Sequence, residues 1–243
     1  MIAGIQAVTT LRQQRARGGA ISAVEVRDVL IPPIGLAGTL RIPADARALV
    51  AFAHGSGSSR LSPRNMKVAE GLNGHGLATL LFDLLTEQEE EDRANVFDIG
   101  LLATRLADAV VWLCQEAVGA RFPIGLFGAS TGAAAALVAA AGLGGRIGAV
   151  VSRGGRPDLA GDVLDQICTP TLLIVGGIDF GVIELNEEAL ARLRGPKALE
   201  IVPGASHLFS EPGTLDGVID HAARWFTRYL AIAAVEPGQA ARH

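Results

Sequence analysis

Phe122-Pro123-Ile124-Gly125-Leu126-Phe127-Gly128-Ala129-Ser130-Thr131-Gly132, running on through Ala133 to Ala141, is the stretch around which the chain is organised. A short apolar run meets Gly-x-Ser-x-Gly and continues into alanine-rich sequence of high helix propensity, so a strand should end and a helix begin at Ser130. Glycine two residues to either side lets neighbouring backbones pack closely and leaves the hydroxyl on the crest of the turn, where a nucleophile is useful. In a chain this rich in alanine and glycine the same pattern also serves as a compact turn without chemistry. The reading therefore depends on what the other strand ends carry.

Upstream, Ile21, Ala23, Val24, Val26 and Val29 to Ile31 suggest a first strand, and Gly35 to Ile42 a second after the Pro32-Pro33 turn, a hairpin-like antiparallel beginning. Ala48 to Ala53 is a compact apolar strand. It leads into His54-Gly55-Ser56-Gly57-Ser58-Ser59-Arg60, a run of small residues suited to a site loop. Ser62-Pro63 offers a helix cap followed by proline at the first helical position, with Met66, Ala69 and Leu72 as the apolar side. Leu77 to Phe82 reads as a strand. The acidic run Glu87, Glu89, Glu90, Glu91 and Asp92 reads as a solvated loop or helix start rather than a metal cage, because ligation needs a constellation as well as charge. Phe97 to Val118 has the apolar spacing of a long amphipathic helix.

Downstream of the serine, Ile147 to Val151 is a strand interrupted by Ser152-Arg153-Gly154-Gly155-Arg156-Pro157, and Asp158 to Gln166 suits a short helix. Thr171 to Val175 is a β-branched apolar strand followed by Gly176-Gly177-Ile178-Asp179. Glu184 to Leu193 reads as helix, Ala198 to Val202 as the last strand, and Pro203 to His207 as a turn beyond it. Gly213 to Tyr229 has the spacing of a closing amphipathic helix, with Trp225, Phe226 and Tyr229 expected first in the core. Strands alternating with helices imply a mostly parallel sheet covered on both faces, an α/β fold. No connection between Ile147 and Thr171 is long enough for a substantial cap. The expected organisation is an extension at 1–19, one domain at 20–232 and a frayed tail at 233–243.

The 243 residues are 49% hydrophobic, with a formal net charge of -4 and mean hydropathy of +0.35, as suits one sizeable core. No dense Lys/Arg tract supplies the neutralisation that nucleic acid requires, so it is set aside as a partner. No leader pattern or membrane-length apolar run stands out, which makes a cytoplasmic location the default expectation and leaves no membrane role. Cys114 and Cys168 lack close Cys or His companions and read as buried small hydrophobes in a reducing compartment. Monomer and homodimer both remain open.

Ser130, Asp179 and His207 each follow a strand, in that chain order. A serine hydroxyl needs a base as it attacks, and histidine, with an ordinary pKa of roughly 6.5, suits that role near neutrality. An aspartate beside the imidazole would orient it and stabilise its protonated form. Negative charge developing on the acyl oxygen needs donors. The backbone N–H groups of Ser56 and Thr131 are the first choice, Gly57 being the alternative early donor, while His54 reads as a structural loop residue. Arg60, Arg64, Arg153 and Arg156 flank the same loops and could hold an anionic group, a carboxylate for example. A dinucleotide-binding reading fails, because its glycines should follow an early strand rather than surround Ser130.

His54-Gly55-Ser56-Gly57, Gly128-Ala129-Ser130-Thr131-Gly132, Gly176-Gly177-Ile178-Asp179 and Gly204-Ala205-Ser206-His207 together resemble the α/β-hydrolase family, in its small dienelactone-hydrolase-like branch, over Ile21 to Leu230. The resemblance implies a three-layer α/β-hydrolase sandwich with no substantial cap, and an ester or related acyl bond in a small-molecule substrate. It also implies no metal or organic cofactor. By motif position Ser130, Asp179 and His207 take the nucleophile, acid and histidine roles. Dienelactone hydrolases proper are known for a cysteine nucleophile, so Ser130 departs from the pattern and loosens the carry-over of substrate. Acyl transfer to an alcohol or peroxide, and a noncatalytic protein that retains the fold, are the competing readings.

Overall fold

The computed structural model describes residues 23–116 and 119–231. The expected N-terminal extension, the tail at 233–243, Ile21 and the Ala117-Val118 end of the long helix lie outside those residues. A hairpin of β1 (Val24–Ile31) and β2 (Leu36–Pro43) pairs antiparallel with β4. The remaining strands run parallel: β3 (Ala48–Ala53), β4 (Leu77–Phe82), β5 (Ile124–Ala129), β6 (Ile147–Arg153), β7 (Thr171–Gly176) and β8 (Lys197–Val202). The order across the sheet is β1-β2-β4-β3-β5-β6-β7-β8, an open mixed sheet.

Helices cover both faces because each parallel strand must return across the sheet before the next. They are α1 (Pro63–Gly74), α2 (Glu87–Glu90), α3 (Arg93–Phe97), α4 (Ile99–Gln115), α5 (Thr131–Leu143), α6 (Phe180–Arg192) and α7 (Thr214–Leu230). Strand residues alternate between the faces. Leu49, Ala51, Leu126, Val150 and Leu173 pack with α4, α5 and α6, whereas Val50, Phe52, Phe127, Val151 and Leu172 pack with α1 and α7. The Phe52 and Phe127 rings stack at 4.8 Å between centroids. Both are fully buried, worth roughly 1.5–3 kcal/mol each.

The alanine run of α5 is buried almost all round, from Thr131 to Ala140, which lets this helix lie close to the sheet behind the serine turn. In α7, Leu215, Val218, Ile219, Ala222, Phe226 and Leu230 form the buried stripe, while Trp225 and Tyr229 are half-buried at its edge. The β6–β7 connection carries only the 3-10 segment Pro157–Gln166, kinked at Gly161, where the sequence suggested a short helix. No cap inserts there. Among the described residues, no helix is long and apolar enough to cross a membrane.

Other expectations change as well. Strand β6 runs on through Ser152 and Arg153, which pair with both neighbouring strands, where the sequence suggested an interruption after Val151. The long helix begins at Ile99, because Asp98 caps it by accepting from Leu101 N–H at 2.9 Å. The helix after Asp179 begins at once, at Phe180, instead of at Glu184. Both cysteines are exposed. Cys114 follows the buried Leu113 on the solvent side of α4, and Cys168 sits in the turn between buried Ile167 and β7.

Candidate active site

Parallel pairing aligns the carboxyl ends of the central strands, with Ala53 opposite Gly128, Ala129 opposite Arg153, and Gly176 opposite Val202. Ser130 leaves β5 with φ 52° and ψ -123°. For a residue with a β-carbon this costs on the order of 1–3 kcal/mol and persists only where surroundings enforce it. Here its N–H donates to the Arg153 carbonyl at 3.3 Å, and its carbonyl accepts from Arg156 and Ala133 N–H, each at 3.1 Å. Close approach requires glycine on either side. A β-carbon at Gly132 would lie 2.3 Å from the Ala53 carbonyl oxygen, and one at Gly128 would lie 2.4 Å from Ala133 Cα.

Asp179 immediately precedes α6, and its Oδ2 lies 2.7 Å from His207 Nδ1. An ionised carboxylate only accepts, so Nδ1 donates and Nε2 is left as the basic ring nitrogen. His207 is held beyond β8 by buried Phe209 two residues on and by Ser206 N–H, which donates to Glu211 Oε2 at 3.1 Å. Hydrogen bonding from the Ser206 side chain, and next from this Ser206 N–H, lowers the Glu211 pKa. Among the described residues no hydrogen bond joins Ser130 Oγ to His207, a bond that tightens as substrate arrives in such sites. Both border the same short loop: a β-carbon at Gly154 would lie 3.0 Å from the His207 carbonyl oxygen, one residue from the carbonyl that Ser130 N–H meets.

Gly55 brings the early loop against the serine, for a β-carbon there would lie 2.9 Å from Ser130 Cβ. Thr131 is the first residue of α5, so its N–H has no intrahelical partner. The Ser56 N–H donates to Thr131 Oγ1 at 2.9 Å, which joins the two expected oxyanion donors in one local arrangement. Gly57 turns with φ 67°, where Ser58 N–H returns to the Gly55 carbonyl. Sequence reasoning missed the threonine hydroxyl contact, because it links residues 75 positions apart.

His54 fastens this loop to the segment that follows β4. Its Nε2 accepts from Leu84 N–H at 3.1 Å, so Nδ1 carries the proton and donates to the Gly55 carbonyl at 3.1 Å. Burial pushes its pKa below the ordinary value of 6.5. Above that value both folded and unfolded chains hold it neutral. As pH falls below about 6.5, the unfolded chain takes up a proton that folded His54 refuses, so stability is lost toward the lower folded value. We expect the urea midpoint to fall between pH 7.5 and 5.5, and the fall to shrink in His54→Asn; equal slopes in the two proteins would remove His54 as the cause.

The arginines separate into two kinds. Arg60 is held by Asp83, through an ion pair and through its N–H to Asp83 Oδ1 at 2.8 Å. Arg156 binds Asp158 through two bonds of 2.9 and 2.7 Å, which raise its pKa. Arg153, only 7% exposed, donates Nη2 to Asn65 Oδ1 at 3.3 Å, and its Nε and Nη1 are buried without a partner. Burial and the neighbouring Arg64 charge bring its pKa down to about 10, so it is still a cation at neutrality. A buried guanidinium without a carboxylate costs several kcal/mol. Asn186 was also missed: fully buried in α6, it donates to the Gly155 carbonyl at 3.0 Å and ties the Asp179 helix to the loop beside Ser130. Leu159, Ile178, Phe180 and Leu208 are exposed in the segments that follow β6, β7 and β8.

No protein-family model matches the chain. The crystal structure of a dienelactone hydrolase from Anabaena variabilis is similar at 54% sequence identity, covering 85% of this chain and 98% of that one, with a TM-score of 0.81. Est1E from Butyrivibrio proteoclasticus shares the fold at 16% identity and a TM-score of 0.71, over 84% of this chain and 99% of its own. A Mycobacterium tuberculosis protein described as a proposed phosphoribosyl transferase is 56% identical over 222 residues, 88% of this chain and 50% of that protein. The chain thus spans about half the length of the curated relatives it matches.

Proposed function

The chain belongs to the α/β-hydrolase family, in its dienelactone-hydrolase-like branch, and from that premise we propose that it is a serine hydrolase of small esters or related acyl compounds. The observation that carries the reading is the 2.7 Å Asp179–His207 pair beside a serine held at positive φ on a strand-to-helix turn. The phosphoribosyl description is of whole proteins of which this chain spans about half.

In this reading Ser130 Oγ attacks the acyl carbonyl as its proton passes to His207 Nε2. Asp179 stabilises the imidazolium through Nδ1. The carbonyl π pair becomes an oxyanion facing the Thr131 and Ser56 backbone N–H groups; the Thr131 hydroxyl, which Ser56 N–H now meets, turns aside or shares that donor. Collapse breaks the bond to the leaving alcohol, which departs with the proton from His207. Water then attacks the Ser130 ester, giving one proton to His207. The second collapse releases the carboxylic acid and returns that proton to Ser130. The exposed apolar side chains beyond β6, β7 and β8 offer contacts to a nonpolar part of a small-molecule substrate.

A fluorophosphonate probe tests the assignment. Intact-protein mass should show a single adduct, peptide mapping should put it on Ser130, and hydrolysis of an aryl acetate should stop in proportion. Folded protein that hydrolyses the ester yet carries no adduct, or carries it elsewhere, would overturn the reading.

A further inference from the structure

We propose that Arg64 and Arg153 form a binding site for a dianionic phosphoryl group, carried by the substrate whose acyl bond Ser130 attacks. The inference rests on the hydrolase reading for its placement and on the two guanidinium groups for its chemistry. Arg64 lies in the first turn of α1, a helix of 12 residues with Pro63 at its start. Arg153 ends β6 and reaches that turn through Asn65, at position three of the helix. Nε and Nη1 of Arg153 and Nε of Arg64 are all buried without hydrogen-bond partners.

No carboxylate compensates them among the described residues. The charge that acts on Arg153 is Arg64, and it repels. Arg60 and Arg156, by contrast, each carry their own aspartate, Asp83 and Asp158. A purely structural arginine would be placed as those two are, since a desolvated cation needs a counter-charge. Two positive charges and three buried, unpartnered donor nitrogens thus lie on the first turn of α1 and on the strand end that meets it, where the positive end of a helix adds to them. Guanidinium groups suit phosphate oxygens, and a phosphoryl group whose second pKa is about 6 supplies close to two negative charges at neutrality. A carboxylate supplies one.

The backbone of Arg153 adjoins the reacting serine. Arg153 pairs across the sheet with Ala129, and its carbonyl accepts from Ser130 N–H. Phe209, two residues beyond His207, packs its ring centroid 5.9 Å from the Arg153 guanidinium carbon. An anion held here would bring its acyl bond to the base and nucleophile together.

Titration calorimetry with inorganic phosphate at fixed ionic strength, on wild type, Arg153→Met, Arg153→Lys and Arg64→Gln, tests the site without requiring turnover. Wild type should bind phosphate more tightly at pH 7.5 than at pH 5.5, with acetate much weaker. Arg153→Met should lose about 10- to 100-fold in affinity and Arg153→Lys less. Arg153→Met should unfold at or above the wild-type temperature, because a buried cation has been removed. Phosphate should also compete with ester substrate, and the preference for a phosphonate-bearing acyl ester over its neutral analogue should fall by a similar factor in Arg153→Met. Phosphate binding that is undetectable, equal in all four proteins, or without effect on hydrolysis would overturn the proposal. If Ser130 proves not to be the nucleophile, the calorimetric result still stands and the hydrolase reading alone fails.

Discussion

Replacing Ser130 with alanine is expected to lower kcat for an activated ester by roughly 10⁴- to 10⁶-fold, because serine and histidine in such a relay act as a unit. The loss should come with little change in folding. Alanine keeps the β-carbon that Gly55 accommodates, and the carbonyl and N–H bonds of residue 130 to Arg153 and Arg156 are backbone bonds. Residual turnover would reflect oxyanion donors and binding alone. Ester assays beside thermal unfolding make the comparison, and an Ser130→Ala protein within tenfold of wild type would show that another group attacks.

Asp179→Asn should be nearly as severe in kcat, about 10⁴-fold, while KM changes little. The side chain is similar in size and stays at the start of α6, so the loss comes from the proton on the ring. Against Oδ2 at 2.7 Å, His207 Nδ1 must donate, which leaves Nε2 free to take the serine proton. An amide presents N–H as well and lets the ring turn to the tautomer with Nε2 already protonated. Steady-state kinetics on one ester separates the two parameters; a rise in KM with unchanged kcat would mean that Asp179 serves binding instead of the base.

The central sheet was readable because fully buried parallel strands are continuous apolar runs. Ala48–Ala53 and Leu77–Phe82 lie where those runs predict, and the Ser130 turn falls between β5 and α5 as the glycines require. The start of α6 was hidden by Phe180, 71% exposed, and by Gly181, which break the helical apolar stripe where the helix begins. Cys114 misled for a related reason: α4 is apolar enough that Val111 and Cys114 face solvent without interrupting the pattern. At the site, sequence order brought Asp179 to His207, and the structure places them together. It could not sort the arginines. Arg156 has its counter-ion, Asp158, two residues on, but the aspartate that neutralises Arg60 lies 23 residues from it and the neutral asparagine that meets Arg153 lies 88 residues away. Those are contacts of the folded chain, without a local signature.

The exposure of Cys114 and Cys168 has a practical side. Cys114 ends the helix that descends toward the start of β5, and Cys168 precedes β7, so both thiols lie at the amino edge of the sheet. Ser130 lies at the carboxyl edge, about 20 Å away along a six-residue strand. Maleimide coupling through these two positions would tether the protein to a support with its serine crest turned outward into solution.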